Sequence, residues 1–174
     1  MKNVVIFIVG NFTITLLVIG FLCSFVDLSL KQKPLHKRQV IESLFSYLLL
    51  FGIGLTFLCN FVFHVFFADM AASVIGWENS PFQYEVGYAS LGFAISGIIA
   101  FKQNLSFRAA TIIGPLFFLW GAAGGHVYQM IKADNFAPGN AGSIFWWDII
   151  LPIIAFVLLY QQYKQERLAS PNRH

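Results

Sequence analysis

Charge is scarce in this sequence: Asp, Glu, Lys and Arg together make up 11% of its 174 residues. Soluble domains carry about 25%, so a water-facing surface wrapped around one core does not account for the composition. The net charge of +3 is too small, and too confined to short segments, to form a nucleic-acid-binding surface. Cysteine is nearly absent. Cys23 and Cys59 lie in separate apolar runs, near opposite ends of their helices, which argues against a disulfide and leaves no thiolate metal site. Both read as small buried hydrophobes. Low-complexity tracts, a Gly-rich phosphate loop and a nucleophile elbow are also missing.

Apolar surface is what the chain has. Hydrophobic residues reach 57%, aromatic residues 17% with 20 Phe, and the mean hydropathy is +0.69. Five apolar stretches stand out, at residues 4–25, 41–66, 81–101, 109–131 and 143–160. Each is close to the ~17–25 residues that a membrane-spanning helix needs. The first is too long for a signal-peptide core and no small-x-small cleavage site follows it, so it reads as a retained helix. The expected fold is all-α, a polytopic membrane bundle of five transmembrane helices. It forms a single domain over residues 1–163, followed by a polar, disordered tail at 164–174.

Lys and Arg orient it. Lys31, Lys33, Lys37 and Arg38 follow the first span, Lys102 and Arg108 lie between the third and fourth, and Lys164, Arg167 and Arg173 follow the fifth. Only Lys2 and Lys132 fall on the other side. An odd number of spans puts the three basic segments together, so the N-terminus is expected outside and the C-terminus in the cytoplasm. Asp69, Glu78, Glu85, Asp134 and Asp148 then gather toward the outer face, with Trp77, Trp146 and Trp147 as an interfacial belt.

Residues 41–101 resemble residues 109–163, a parallel pseudo-repeat. His64-Val65 recurs as His126-Val127, and Ser80-Pro81-Phe82-Gln83-Tyr84-Glu85 recurs as Ser143-Ile144-Phe145-Trp146-Trp147-Asp148. Coincidence is the competing explanation for so short a pattern. Ser80, Pro81 and Gln83 read as an N-cap, a first-turn proline and a capping-box partner, while Ser143 or Asn140 would cap the last helix. Counting 1.5 Å per residue from the cytoplasmic ends sets His64, Glu85, His126 and Asp148 at similar depth, ~24–26 Å in. Ionisable groups at that depth should face the bundle interior and one another. Asn60 and Gln129, one turn from the two histidines, would share that face; Asp69, Gln83, Asp134 and Asn135 would support it from the outer loops. Gly124-Gly125 would open space beside His126.

Three functions follow from such a cluster. Two imidazoles and two carboxylates suit a divalent metal such as Fe, Mn or Zn, held by His64, Glu85, His126 and Asp148, although the Glu-x-x-His spacing of four-helix carboxylate sites is absent. With an open position, such a metal would make the chain a membrane-embedded hydrolase or oxidoreductase. Proton or small-cation transport is the second reading; the lack of polar residues toward the cytoplasmic half counts against it. The third is a structural or accessory membrane subunit in which His64–Glu85 and His126–Asp148 simply satisfy each other. The expected partners are the lipid bilayer and, through Gly/Ala/Ser-rich helix faces, a homo-oligomer or another membrane protein; no nucleic acid is expected.

The stretch at residues 77–85, the segment Gly124-Gly125-His126-Val127-Tyr128-Gln129 and the loop at 134–140 resemble an uncharacterised family of small bacterial integral membrane proteins. The resemblance covers roughly the C-terminal two thirds. It implies a bacterial inner-membrane location and brings no activity, cofactor or catalytic residue with it.

Overall fold

An apolar run in lipid must satisfy its backbone internally, which selects helix. The computed structural model describes residues 10–169, and every long apolar run among them is helical. The elements are α1 (Phe12–Ser29), α2 (Lys37–Phe66), α3 (Ala68–Ile75), α4 (Phe82–Ala100), α5 (Leu105–Ala133), α6 (Pro138–Ala141) and α7 (Ser143–Ala169). Residues 4–9 of the first expected span, Lys2, and residues 170–174 of the polar tail, Arg173 among them, lie outside the described residues; residues 164–169, expected to be disordered, instead continue α7 as helix.

Four stretches are long and apolar enough to cross a membrane: α1, α2, α5 and the α6–α7 stretch Pro138–Ala169. The 19-residue α4 has the length but not the apolarity, because Gln83, Tyr84, Glu85 and Tyr88 occupy its first two turns. Within the four windows only 22–39% of residues are buried inside the protein. The remainder, including Phe25, Phe117, Ile153 and Val157, form an exposed apolar surface that suits lipid and not water.

The long helices alternate in direction, so the bundle has two ends. One gathers the end of α1, the start of α2, the end of α4, the start of α5 and the last turns of α7. Buried Arg108, on α5, ties α2, α4 and α7 together here. It donates from Nε to the Ala100 carbonyl (3.2 Å), from Nη1 to Gln162 Oε1 (3.0 Å), and from Nη2 to Ser46 Oγ (2.7 Å) and the Phe101 carbonyl (2.9 Å). Asn104 caps α5 beside it by accepting from the Phe107 N–H at 3.0 Å. Nearby, Asp27 Oδ2 accepts from Lys31 (2.7 Å) and from Ser43 Oγ (2.6 Å). Lys102 and Gln103 complete the rim of this end.

Midway along α2, residues Leu48–Leu55 form a π-helical segment. Gly52 and Gly54 permit it, and it lets α4 approach: a Cβ on Gly97 would lie 2.7 Å from the Gly54 amide nitrogen. The small residues of α4, Gly87, Ser90, Ala94, Gly97 and Ala100, are therefore spent on packing within the chain. Beside them the buried side chains of Phe45, Leu49, Ile53, Ile112, Leu116 and Leu151 form an apolar core across the bundle.

Candidate functional site

The other end of the bundle holds the histidines. Here α2 breaks at Phe67 (φ −132°, ψ 40°) and restarts as the short α3, where a plain loop was expected. Gly76 ends α3 at φ 76°, a left-handed conformation in which a side chain would also meet Asn135 Oδ1 at 2.8 Å. Asn135 donates to the Ile75 (3.0 Å) and Gly76 (3.2 Å) carbonyls and accepts from the Ala137 N–H (3.0 Å). It thus fastens the α5–α6 connection onto the end of α3.

Asn140, in the short α6, is fully buried and organises this end. Its Nδ2 donates to the backbone carbonyls of His126 (3.2 Å) and Asn135 (2.9 Å). Its Oδ1 accepts from Trp77 Nε1 at 3.2 Å and from His126 Nδ1 at 2.7 Å. With both amide hydrogens committed to carbonyls, Oδ1 is the acceptor, so His126 carries its proton on Nδ1. That leaves Nε2 turned toward Asp148, whose Oδ2 stands 3.6 Å away, beyond hydrogen-bond length. Trp77 and Phe145 rings flank the imidazole. Asn140 is not the helix cap that its position before α7 suggests.

The expected four-residue cluster forms only in part. His126 and Asp148 face each other, both buried. His64 is half-buried and its Nδ1 pairs with Gln83 Oε1, not with Glu85. Glu85 is exposed. Two residues along a helix turn the side chain by about 200°, so burying Gln83 points Glu85 outward. Gln83 is consequently absent from any capping box, and no side chain caps α4. Among the described residues, no group of three or more His, Cys, Asp or Glu side chains could hold a metal ion. The metal set of His64, Glu85, His126 and Asp148 is corrected accordingly: its second acid faces away.

The supporting residues divide similarly. Asn60 donates to Ser90 Oγ at 2.9 Å across the α2–α4 contact. Asp69 accepts from Asn79 at 2.6 Å on the surface, and Asp134 forms the exposed left-handed cap of α5 (φ 50°, ψ 35°). Gln129 offers its backbone carbonyl to that turn. Trp146 is exposed, but Trp147, expected beside it in the belt, turns into the core at 5% exposure. Cys23 and Cys59 are both free.

His64, His126, Asp148, Asn60 and Gln83 all line one cavity of about 640 Å³. Its remaining wall is mostly apolar, with Phe57, Phe63, Phe117 and Phe118 prominent. Gly125 belongs to this wall, and a Cβ there would meet nothing nearer than the Trp77 ring at 3.9 Å. A family model described as a family of unknown function, DUF6790, matches residues 10–168. The chain belongs to the DUF6790 family. No curated protein and no solved structure matches it. The whole lining of the cavity, from Gly10 to Asp148, falls inside the DUF6790 region, as does the Arg108 network. Depth and spacing in the sequence grouped the two histidines and Asp148 of this DUF6790 chain, and the structure sets all three on the wall of one cavity. The sequence pattern assigned Asn140 and Trp147 other roles.

Proposed function

We propose that this DUF6790 protein is a five-span integral membrane protein of the bacterial inner membrane that binds a small, mainly apolar ligand in its outer half. In this reading α4 is the fifth crossing, sheltered from lipid on one face by α2. The N-terminal side lies outside and the basic end, with Arg108, Lys102 and Lys164, faces the cytoplasm. The observation that carries the binding reading is the cavity itself. Its volume of about 640 Å³ falls in the ~300–1,000 Å³ range of ligand pockets, and its apolar wall carries a few convergent polar groups. The apolar core of Ile53, Ile112, Leu116 and Leu151 separates it from the basic end, which favours binding at one face over passage through the bundle.

Two experiments test this. Gly125→Leu puts a branched side chain into the cavity under Trp77 while giving α5 a better helix former. Native mass spectrometry of protein extracted from its own membranes should show an adduct that Gly125→Leu loses or reduces at least tenfold. A wild-type protein without any adduct, or an equal adduct on the variant, contradicts the reading. For orientation, Lys33→Cys and Phe136→Cys in a Cys23→Ala, Cys59→Ala background should react with a membrane-impermeant maleimide on opposite sides, Phe136→Cys in intact cells and Lys33→Cys only after lysis. Labelling of both from one side overturns the topology.

A further inference from the structure

The polar groups on the cavity wall are not equally provided for. Asn60 donates to Ser90, Thr56 Oγ1 to the Phe51 carbonyl at 2.9 Å, Trp77 to Asn140, and His64 pairs with Gln83. Two buried donors remain. Among the described residues Thr13 Oγ1 and Trp147 Nε1 have no hydrogen-bond partner, although Thr13 is 3% and Trp147 5% exposed. Both residues line the same cavity, from α1 and α7 respectively. An indole N–H can only donate. Native interiors rarely leave such a group without an acceptor, and none of the acceptors on the wall, Asp148 included, bonds to it.

Charge narrows the occupant further. Among the described residues no Lys or Arg lines the cavity, whereas Asp148 lies within it and Glu78 is on its exposed rim. A carboxylate or phosphate group would enter without a cation to meet it and against two acids. A cation would leave the Trp147 N–H as orphaned as before. We infer that the ligand is a neutral, largely apolar molecule carrying a hydrogen-bond-accepting oxygen of the carbonyl type, with Trp147 Nε1 as its principal donor and Thr13 Oγ1 as the second. This assignment rests on the ligand-binding reading above and adds the chemical class.

The class is testable with simple probes. Radiolabelled undecan-2-one is titrated against the full chain in nanodiscs, with empty nanodiscs subtracted, and displaced by undecane, undecanoate or decyltrimethylammonium. The ketone should bind at least tenfold more tightly than the matched alkane, and both ions should compete more weakly than the ketone. Trp147→Phe keeps the ring and removes the donor. It should weaken ketone binding about five- to tenfold, the value of one hydrogen bond, leave undecane binding unchanged, and not lower the melting temperature of the unliganded protein. Thr13→Val should act the same way with a smaller effect. Equal affinity for ketone and alkane, a tighter cation, or a ketone preference that survives both substitutions overturns the carbonyl assignment while leaving an apolar binding site standing. Absence of binding by every probe, undecane included, removes the ligand-binding reading and this assignment together.

Discussion

Arg108→Leu should lower the stability of the bundle by about 3 kcal/mol. Removing the guanidinium strands Ser46 Oγ, Gln162 Oε1 and the carbonyls of Ala100 and Phe101 at a site where Arg108 itself is 2% exposed. Each stranded buried group costs about 1–3 kcal/mol, partly offset because the burial of the charge is relieved as well. Arg108→Lys should recover less than half of the loss. A lysine ammonium carries the charge but has no planar fork with which to reach acceptors on α2, α4 and α7 together. Unfolding in mixed micelles by increasing SDS gives the measurement, and a change below about 0.5 kcal/mol for the leucine variant would falsify the assigned role. Arg108 is also instructive about topology. Its charge counts among the basic residues from which the sequence sets an orientation, yet it is a buried cross-tie, two of whose acceptors are carbonyls that the end of α4 leaves open.

That double role marks how far the sequence could be read. Apolar runs and basic segments announce the helices and the two ends because lipid and membrane potential act on composition, which is visible in one dimension. Depth is legible too: a fixed rise per residue puts His126 level with Asp148, and they do meet. Rotation about the helix axis is harder. In α4 the clue was present, since Gln83, Gly87, Ser90, Ala94 and Gly97 recur at helical spacing and are the buried face. Glu85 falls off that stripe. The acidic residue was favoured over the amide because carboxylates are chemically conspicuous, whereas packing of small residues decided which side chain turned inward. Asn140 was not legible at all. Its role depends on α6 folding back over His126, a tertiary event set by Asn135 together with Gly76 and Trp77, which are distant in sequence. The apolar run of α2 likewise hides a π-helical segment, whose packing partner Gly97 lies on another helix.

Asn140 gives the second large effect, and its two faces can be separated. Asn140→Leu removes four hydrogen bonds from a fully buried position and leaves the His126 and Asn135 carbonyls, the Trp77 N–H and the His126 Nδ1–H without their partner. The expected loss is about 2–4 kcal/mol. Asn140→Asp keeps the acceptor that meets Trp77 and His126 but replaces the donor with a carboxyl oxygen aimed at two carbonyls. Both variants should therefore destabilise the protein, read out as a lower midpoint in the same SDS titration. They should differ at the imidazole. In the wild type, nitrogen chemical shifts of His126 should report protonation at Nδ1, because Asn140 Oδ1 accepts there. The aspartate variant should retain that pattern, since its carboxyl oxygen still accepts at the same place. The leucine variant should lose it and show the two tautomers in exchange. With Nδ1 no longer held, Nε2 ceases to be the fixed free nitrogen opposite Asp148, and the chemistry available at the cavity wall changes without any residue of that wall being replaced. Identical imidazole spectra for the wild type and Asn140→Leu would show that something other than Asn140 sets the proton on His126.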